Sequence, residues 1–241
     1  MKKLAAPAAI VVTLTLTMSA CSGSDSAADA HVDQLDANAE AAAMDRFSTF
    51  KDDLSSITSY HAQGTLEAED GNQYTDFVFD RSAGAFEGTA SIESGSVDMT
   101  IDLIRASNLL WIKGPAEYWE SFGYDATPAI GKYVVFQAAQ GDQVAKTYDY
   151  DRLVSTVETI SNGQVTVEGE VDEDGTDFIR YALGEKEKST LLDIPATGEM
   201  GTAKLVSTTD EVDATIVIDE FGTNTDISAP APVEVTQPQG Q

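Results

Sequence analysis

Hydrophobic residues along this chain change their spacing more than once, and the changes divide it into segments. Residues Asp45 to Ile57 set Phe47, Phe50, Leu54 and Ile57 three and four apart. That spacing predicts one apolar stripe on a helix of about three turns. From His61 the period becomes two. The stretch HAQGTLEAEDGNQYTDFVFD reads as two strands around Asp70-Gly71, and AFEGTASIESGSVDMTIDLI as a second pair around Ser94-Gly95. Within that pair Val97, Met99, Ile101 and Leu103 alternate with Ser96, Asp98, Thr100 and Asp102, which predicts a half-buried strand. RASNLLWIKG turns at Ser107-Asn108 into a further strand ending near Lys113.

The middle of the chain reads differently. PAEYWESFG opens with Pro115 and stops at Gly123, a short helix carrying Tyr118, Trp119 and Phe122. YDYDRLVSTVETISNG sets Leu153, Val154, Val157 and Ile160 on one helical face, with Asn162-Gly163 as the stop. Strands resume in QVTVEGEV, turn at Asp174-Gly175 into DFIRYAL, and continue in TAKLVSTT and VDATIVIDEF. Helix, antiparallel meander, helical insertion and second meander together predict an α+β fold. Its centre is a single curved antiparallel β-sheet with helices packed on the concave face.

The two ends have another character. Lys2 and Lys3 precede an apolar run from Leu4 to Thr17, the length of a secretory h-region and too short to span a bilayer. The run ends in MSAC at 18–21, which holds the chain's one cysteine. MSAC resembles a bacterial lipobox, with Met18 where the pattern usually has Leu. The resemblance implies cleavage before Cys21 and a diacylglycerol thioether and palmitate-type acylation at Cys21. A lone thiol has no disulfide partner to explain its export, and two or three acyl chains suffice for stable anchoring. The expected divisions are a lipoprotein signal peptide (1–20), a flexible acidic tether (21–44), a folded domain (45–230) and a disordered tail (231–241). Roughly 20 flexible residues would hold the domain about 25 Å from the membrane.

Charge narrows the function. The chain carries 14 basic and 41 acidic residues, −27 net. Without the leader, 12 basic residues against 41 acidic give −29. Such a surface repels nucleic acid and anionic lipid head groups at long range, and nucleic acid is excluded as a partner. A strongly solvated surface accounts for the acidity, with cation handling as the alternative. The histidines are His31, in the tether, and His61, at a strand start, so no Ser/His/Asp set can be built in the domain without His61. DEDGTD at 172–177 places its glycine wrongly for a calcium loop and is explained by a type I′ turn. No catalytic residues, metal ligands or cofactor are assigned.

Four stretches carry a family resemblance over about Asp45 to Pro230. They are SYHAQGTLE at 59–67, NLLWIKGPAEYW at 108–119, GKYVVF at 131–136, and FGTNTDISAP at 221–230, expected as the closing strand. Together they resemble the LolA/LppX-like superfamily, and within it the actinobacterial lipoproteins of the LppX/LprG type. The resemblance implies a half-barrel around an apolar cavity that carries acylated lipids or glycolipids, on the extracytoplasmic face of the cell membrane. The expected lining is Phe77, Phe79, Met99, Ile101, Leu103 and Trp111, with Trp119 and Phe122 from one helix and Val154 and Val157 from the next. As core packing the same aromatic residues need no ligand. The alternative function is therefore a cell-envelope interaction protein with a filled core and a protein partner.

Overall fold

The computed structural model describes residues 32–68, 71–95, 97–148, 150–184, 190–198, 200–208, 212–223 and 225–236. The chain enters through α1 (Ala37–Ser56) and then makes the meander β1 (Ser59–Ala68), β2 (Gly71–Asp80), β3 (Ala85–Ser94), β4 (Val97–Ala106) and β5 (Leu109–Lys113). The helical insertion follows as α2 (Ala116–Ser121), β6 (Tyr133–Phe136), α3 (Ala138–Ala145) and α4 (Asp151–Thr159). The second meander is β7 (Val165–Glu173), β8 (Thr176–Leu183), β9 (Thr190–Pro195), β10 (Ala203–Thr208) and β11 (Val212–Asp219), and β12 (Val235–Thr236) closes the chain. All strands lie in one sheet, in the order β12-β6-β5-β4-β3-β2-β1-β11-β10-β9-β8-β7. Every named pair is antiparallel except β12 on β6. Two of the expected turns form at the expected pairs: Ser107 and Asn108 (φ 50° and 62°) and Asp174 and Gly175 (φ 53° and 82°) give the left-handed pairs that tight hairpins require. The other two expected pairs are off by one residue, because Gly71 opposite Ala68 already belongs to β2 and Ser94 opposite Val97 still belongs to β3.

Twelve strands about 4.8 Å apart would make a flat sheet roughly 50 Å wide. One continuous core nevertheless joins Ile112 on β5 to Leu192 on β9 by way of α1, α2 and α4. The sheet therefore curls around its helices as an open half-barrel. Helix α1 buries Ala43, Phe47, Phe50 and Leu54. It grips the far wing through Phe47 against Tyr181 (centroids 5.2 Å apart) and a 2.7 Å hydrogen bond from the Tyr181 hydroxyl to the Ala43 carbonyl.

Several expectations change. Helix α1 begins at Ala37, inside the stretch expected to be tether, because the Asp36 carboxylate caps the amides of Asn38 and Ala39 at 2.9 Å. The Ala-rich run that follows, poor in bulky apolar groups, is rich in the best helix former. Residues 232–236, expected in a disordered tail, form a 3₁₀ turn and β12. FGTNTDISAP, expected as the closing strand, contains no strand among its described residues. Instead the Gly222 amide donates to the Ser59 carbonyl at 2.9 Å and the Ser59 hydroxyl donates to the Thr223 carbonyl, contacts that lead the chain off β11. Strand β9 and helix α3 were not anticipated. Cys21 and the leader lie outside the described residues.

Candidate functional site

The concave face is set by strand parity. Cross-strand neighbours in an antiparallel pair share a face, and Tyr60 lies opposite Phe79, Phe79 opposite Phe86, and Ala90 opposite Ile101. Seven of the expected lining residues meet in one cluster: Phe77, Phe79, Ile101, Leu103, Trp119, Val154 and Val157, all buried. Met99 packs against that cluster, half-buried, while Val97 at the hairpin end of the same strand is exposed. Phe122 sits at the end of α2, 38% exposed, with its ring 5.1 Å from that of Tyr118.

Trp111 is a correction, because it does not share this face. Leu103 is opposite Ile112, so Trp111, opposite Ile104, points the other way. It is buried on the convex side with Ala85, Ala106 and Val135, against which Ile227 and Val235 of the returning C-terminal segment pack. The run LLWIK is apolar at four consecutive positions, so its parity could not be read from alternation.

The interior is crowded with rings that the sequence reading did not assign. Phe77 lies within 5.4 Å of both Phe86 and Tyr148 and within 6.5 Å of Tyr150. Tyr60 stacks on Phe79 at 4.7 Å and its hydroxyl donates to Asp151 at 3.1 Å. The Tyr150 hydroxyl is hydrogen-bonded to Thr75 directly above Gly64, where any Cβ would overlap both groups. Burial raises the phenol of Tyr118 to about 12 and pushes those of Tyr148 and Tyr181 further above their ordinary range. The raised values keep these phenols in their protonated form, and that of Tyr181 donates to the Ala43 carbonyl. Tyr60 was within reach of the sequence, since Tyr60, Ala62, Gly64 and Leu66 alternate with polar residues. Tyr148 and Tyr150 stand in the charged run KTYDYDR and gave no apolar signal.

At the rim of this face a pocket of about 370 Å³ opens between the β2–β3 turn, the end of β4 and the junction of α3 and α4. Phe79, Phe86, Ala85 and Ala145 form its apolar part; Arg105, Asp142, Lys146 and Asp151 form its polar edge. Arg105 Nη2 donates to Asp142 Oδ1 at 2.8 Å. Arg81 binds Asp151 at 3.0 Å and Glu158 at 2.8 Å, and donates to the Leu54 carbonyl at 3.1 Å, tying α4 to the sheet and to α1.

On the convex face His61 sits between two carboxylates, with Nδ1 2.7 Å from Asp219 and Nε2 3.0 Å from Asp76. Burial opposes its protonation. The hydrogen bonds to Asp76 and Asp219, with the two negative charges, outweigh that and raise its pKa. Among the described residues, no three His, Cys, Asp or Glu side chains are placed to hold a metal ion. Among the same residues, no helix is long and apolar enough to cross a membrane.

Comparison with known proteins finds fold likeness. No protein-family model matches the chain, and no curated protein matches it in sequence. Among solved structures, LprF from Mycobacterium bovis matches with a TM-score of 0.50 at 15% identity, covering 81% of this chain and 98% of LprF. The Mycobacterium tuberculosis lipoprotein LppX matches with a TM-score of 0.45 at 11% identity, covering 78% of this chain and 97% of LppX. An uncharacterized conserved protein from Thermus thermophilus matches with a TM-score of 0.39 at 12% identity, over 81% of this chain and 99% of its own. The likeness to LprF shows that the chain has an LprF-like fold.

Proposed function

We propose that this chain is a membrane-anchored extracytoplasmic lipoprotein that binds or carries a lipid-like hydrophobic ligand, and that it does no covalent chemistry. The observation that carries the reading is the pocket of about 370 Å³ at the rim of an apolar half-barrel. A pocket of that size is at the lower end of the range for small-molecule sites, and it opens directly onto Phe79 and Phe86. Affinity would come from apolar area removed from water, at about 25 cal/mol per Å². The lipobox resemblance at Cys21 supports the anchor, and the family resemblance supports the ligand class.

A second reading has its own observation. Phe77, Tyr148, Tyr150 and Tyr60 fill the middle of the half-barrel, as they would in an envelope protein whose surface binds a protein partner. Extraction and mass analysis of lipid from the full chain purified out of its own membrane separates the two. A stoichiometric lipid in the wild type, lost in Ala145→Trp, which places an indole in the pocket, is the result expected of the carrier. A lipid-free wild type would move the assignment to the interaction protein. For the anchor, Cys21→Ser should leave the protein in the soluble fraction or as unprocessed precursor. An unmodified Cys21 thiol in the wild type would overturn the anchor.

A further inference from the structure

Building on the carrier reading, we infer that the rim pocket is the head-group subsite for a single-chain amphiphile with an oxyanion head, a carboxylate or a phosphate. The first part of that ligand's chain would lie in the pocket against Phe79 and Phe86, and its head would meet Arg105 and Lys146.

Arg105 is the first part of the argument. It follows Ile101 and Leu103 on the inward face of β4, at the end of an otherwise apolar row. A guanidinium turned toward a core is costly to desolvate unless its donors are used. Its side chain is only 22% exposed, and among the described residues it makes a single hydrogen bond, from Nη2 to Asp142. Arg105 lines the pocket, so donors beyond the one given to Asp142 are available to a bound head group. A planar fork with unspent donors fits the paired oxygens of a carboxylate or phosphate.

Lys146 is the second. It lies directly after α3, exposed at the pocket edge, with no ion-pair partner among the described residues. The two lining carboxylates, in contrast, are both engaged. Asp142 is held by Arg105, and Asp151 by Arg81 and the Tyr60 hydroxyl. A chain with 41 acidic and 14 basic residues thus lines this pocket with as many cations as carboxylates, and the donor capacity left over is cationic.

The third part is the junction of chemistries. Phe79 and Phe86 stand beside the cations, so the ionic contact would form against low-dielectric walls, where it is stronger than in water. A volume of about 370 Å³ takes a head and the first part of one chain, not a branched, several-chain lipid.

The test uses the delipidated full chain and four probes in titration calorimetry: palmitate, palmitoyl-lysophosphatidate, hexadecanol and inorganic phosphate. The two anionic amphiphiles should bind roughly 10- to 100-fold tighter than hexadecanol, the range expected of charge-assisted hydrogen bonds. Arg105→Gln and Lys146→Gln should each remove much of that difference and leave hexadecanol unchanged. Lys146 is exposed, so its variant keeps the test alive if Arg105→Gln does not fold, which a melting curve reports. If hexadecanol binds as tightly as palmitate and neither variant matters, the head-group subsite is wrong and the carrier reading stands. If none of the three amphiphiles binds, the carrier reading itself fails. If inorganic phosphate competes at the concentrations that suffice for lysophosphatidate, the pocket is a site for free anions and the amphiphile proposal is overturned.

Discussion

Truncating Phe77 tests whether the half-barrel is packed through its middle. Its side chain is fully buried at the centre of strand β2, and its ring meets those of Phe79, Phe86, Tyr148 and Tyr150 at centroid distances of 5.4 to 6.5 Å. Phe77→Ala removes the ring without removing any polar partner, so the loss is transfer energy plus cavity. Buried Phe→Ala changes cost about 3–5 kcal/mol. The edge-to-face and tilted ring pairs, each contributing about 0.5–1.5 kcal/mol beyond buried area, place this site near the top of that range. For a domain of this size each kcal/mol lowers Tm by about 2–4 °C, so a drop of roughly 8–20 °C is expected. With a urea m-value of about 2 kcal/mol/M the midpoint should fall by roughly 2–2.5 M. Thermal and urea denaturation of the lipid-free chain, each followed by far-UV circular dichroism, read the two. A midpoint within 0.3 M of wild type (about 0.6 kcal/mol at that slope) would mean that Phe77 faces open space, and the packed interior would have to be abandoned.

The remaining predictions each probe one placement. Trp111→Ala should cost about 3–5 kcal/mol because Trp111 is 5% exposed, yet lipid retention should not change; lost retention at unchanged stability would put Trp111 back on the ligand side. Gly64→Ala should cost about 1–3 kcal/mol by overpacking, since its methyl overlaps the Tyr150 hydroxyl and Thr75; a neutral result would show that Tyr150 does not sit over β1. His61 has a raised folded pKa, so its stabilisation is complete below the unfolded value near 6.5 and is lost as pH rises through the folded value. Tm should therefore fall across that window, and His61→Asn should flatten the fall; an unchanged profile in the variant would refute the paired-carboxylate geometry.

What could be read from the chain followed from which signals are local. The hairpins were legible because period-two alternation and turn pairs such as Ser107-Asn108 and Asp174-Gly175 act within a few residues. Seven of the ten expected lining residues share one buried cluster because each stands in a strand or helix with a clear polar face. Trp111 failed because a run of four apolar residues, Trp111 among them, erases parity, and both faces of β5 are in fact covered. Strand β12 was invisible because two residues in a Pro-rich segment gain their order from β6, about a hundred positions earlier. The start of α1 was lost because the run Ala37 to Ala43 was judged by what it could bury rather than by its helix propensity. The rim pocket was out of reach altogether. Arg105 and Lys146 are 41 positions apart, and nothing in sequence says that the end of β4 faces the end of α3.

The acidity of the chain gives the rim pocket a salt signature of unusual sign. An anionic amphiphile must approach a protein of net charge −27, whose long-range field repels it. The Debye length shrinks from about 30 Å at 0.01 M salt to about 8 Å at 0.15 M, so added salt removes most of that repulsion. The contacts with Arg105 act over a few ångströms beside Phe79 and Phe86, and partly buried pairs are screened much less. Association of palmitate should therefore speed up and tighten between these two ionic strengths, while hexadecanol, which has no charge to screen, should show little change. A pocket governed by exposed cations alone would behave oppositely, because screening would weaken the attraction it depends on. Stopped-flow binding at the two salt concentrations distinguishes the cases. Palmitate affinity that falls with salt would mean that the attraction is superficial, and that Arg105 does not meet the head group behind the aromatic wall.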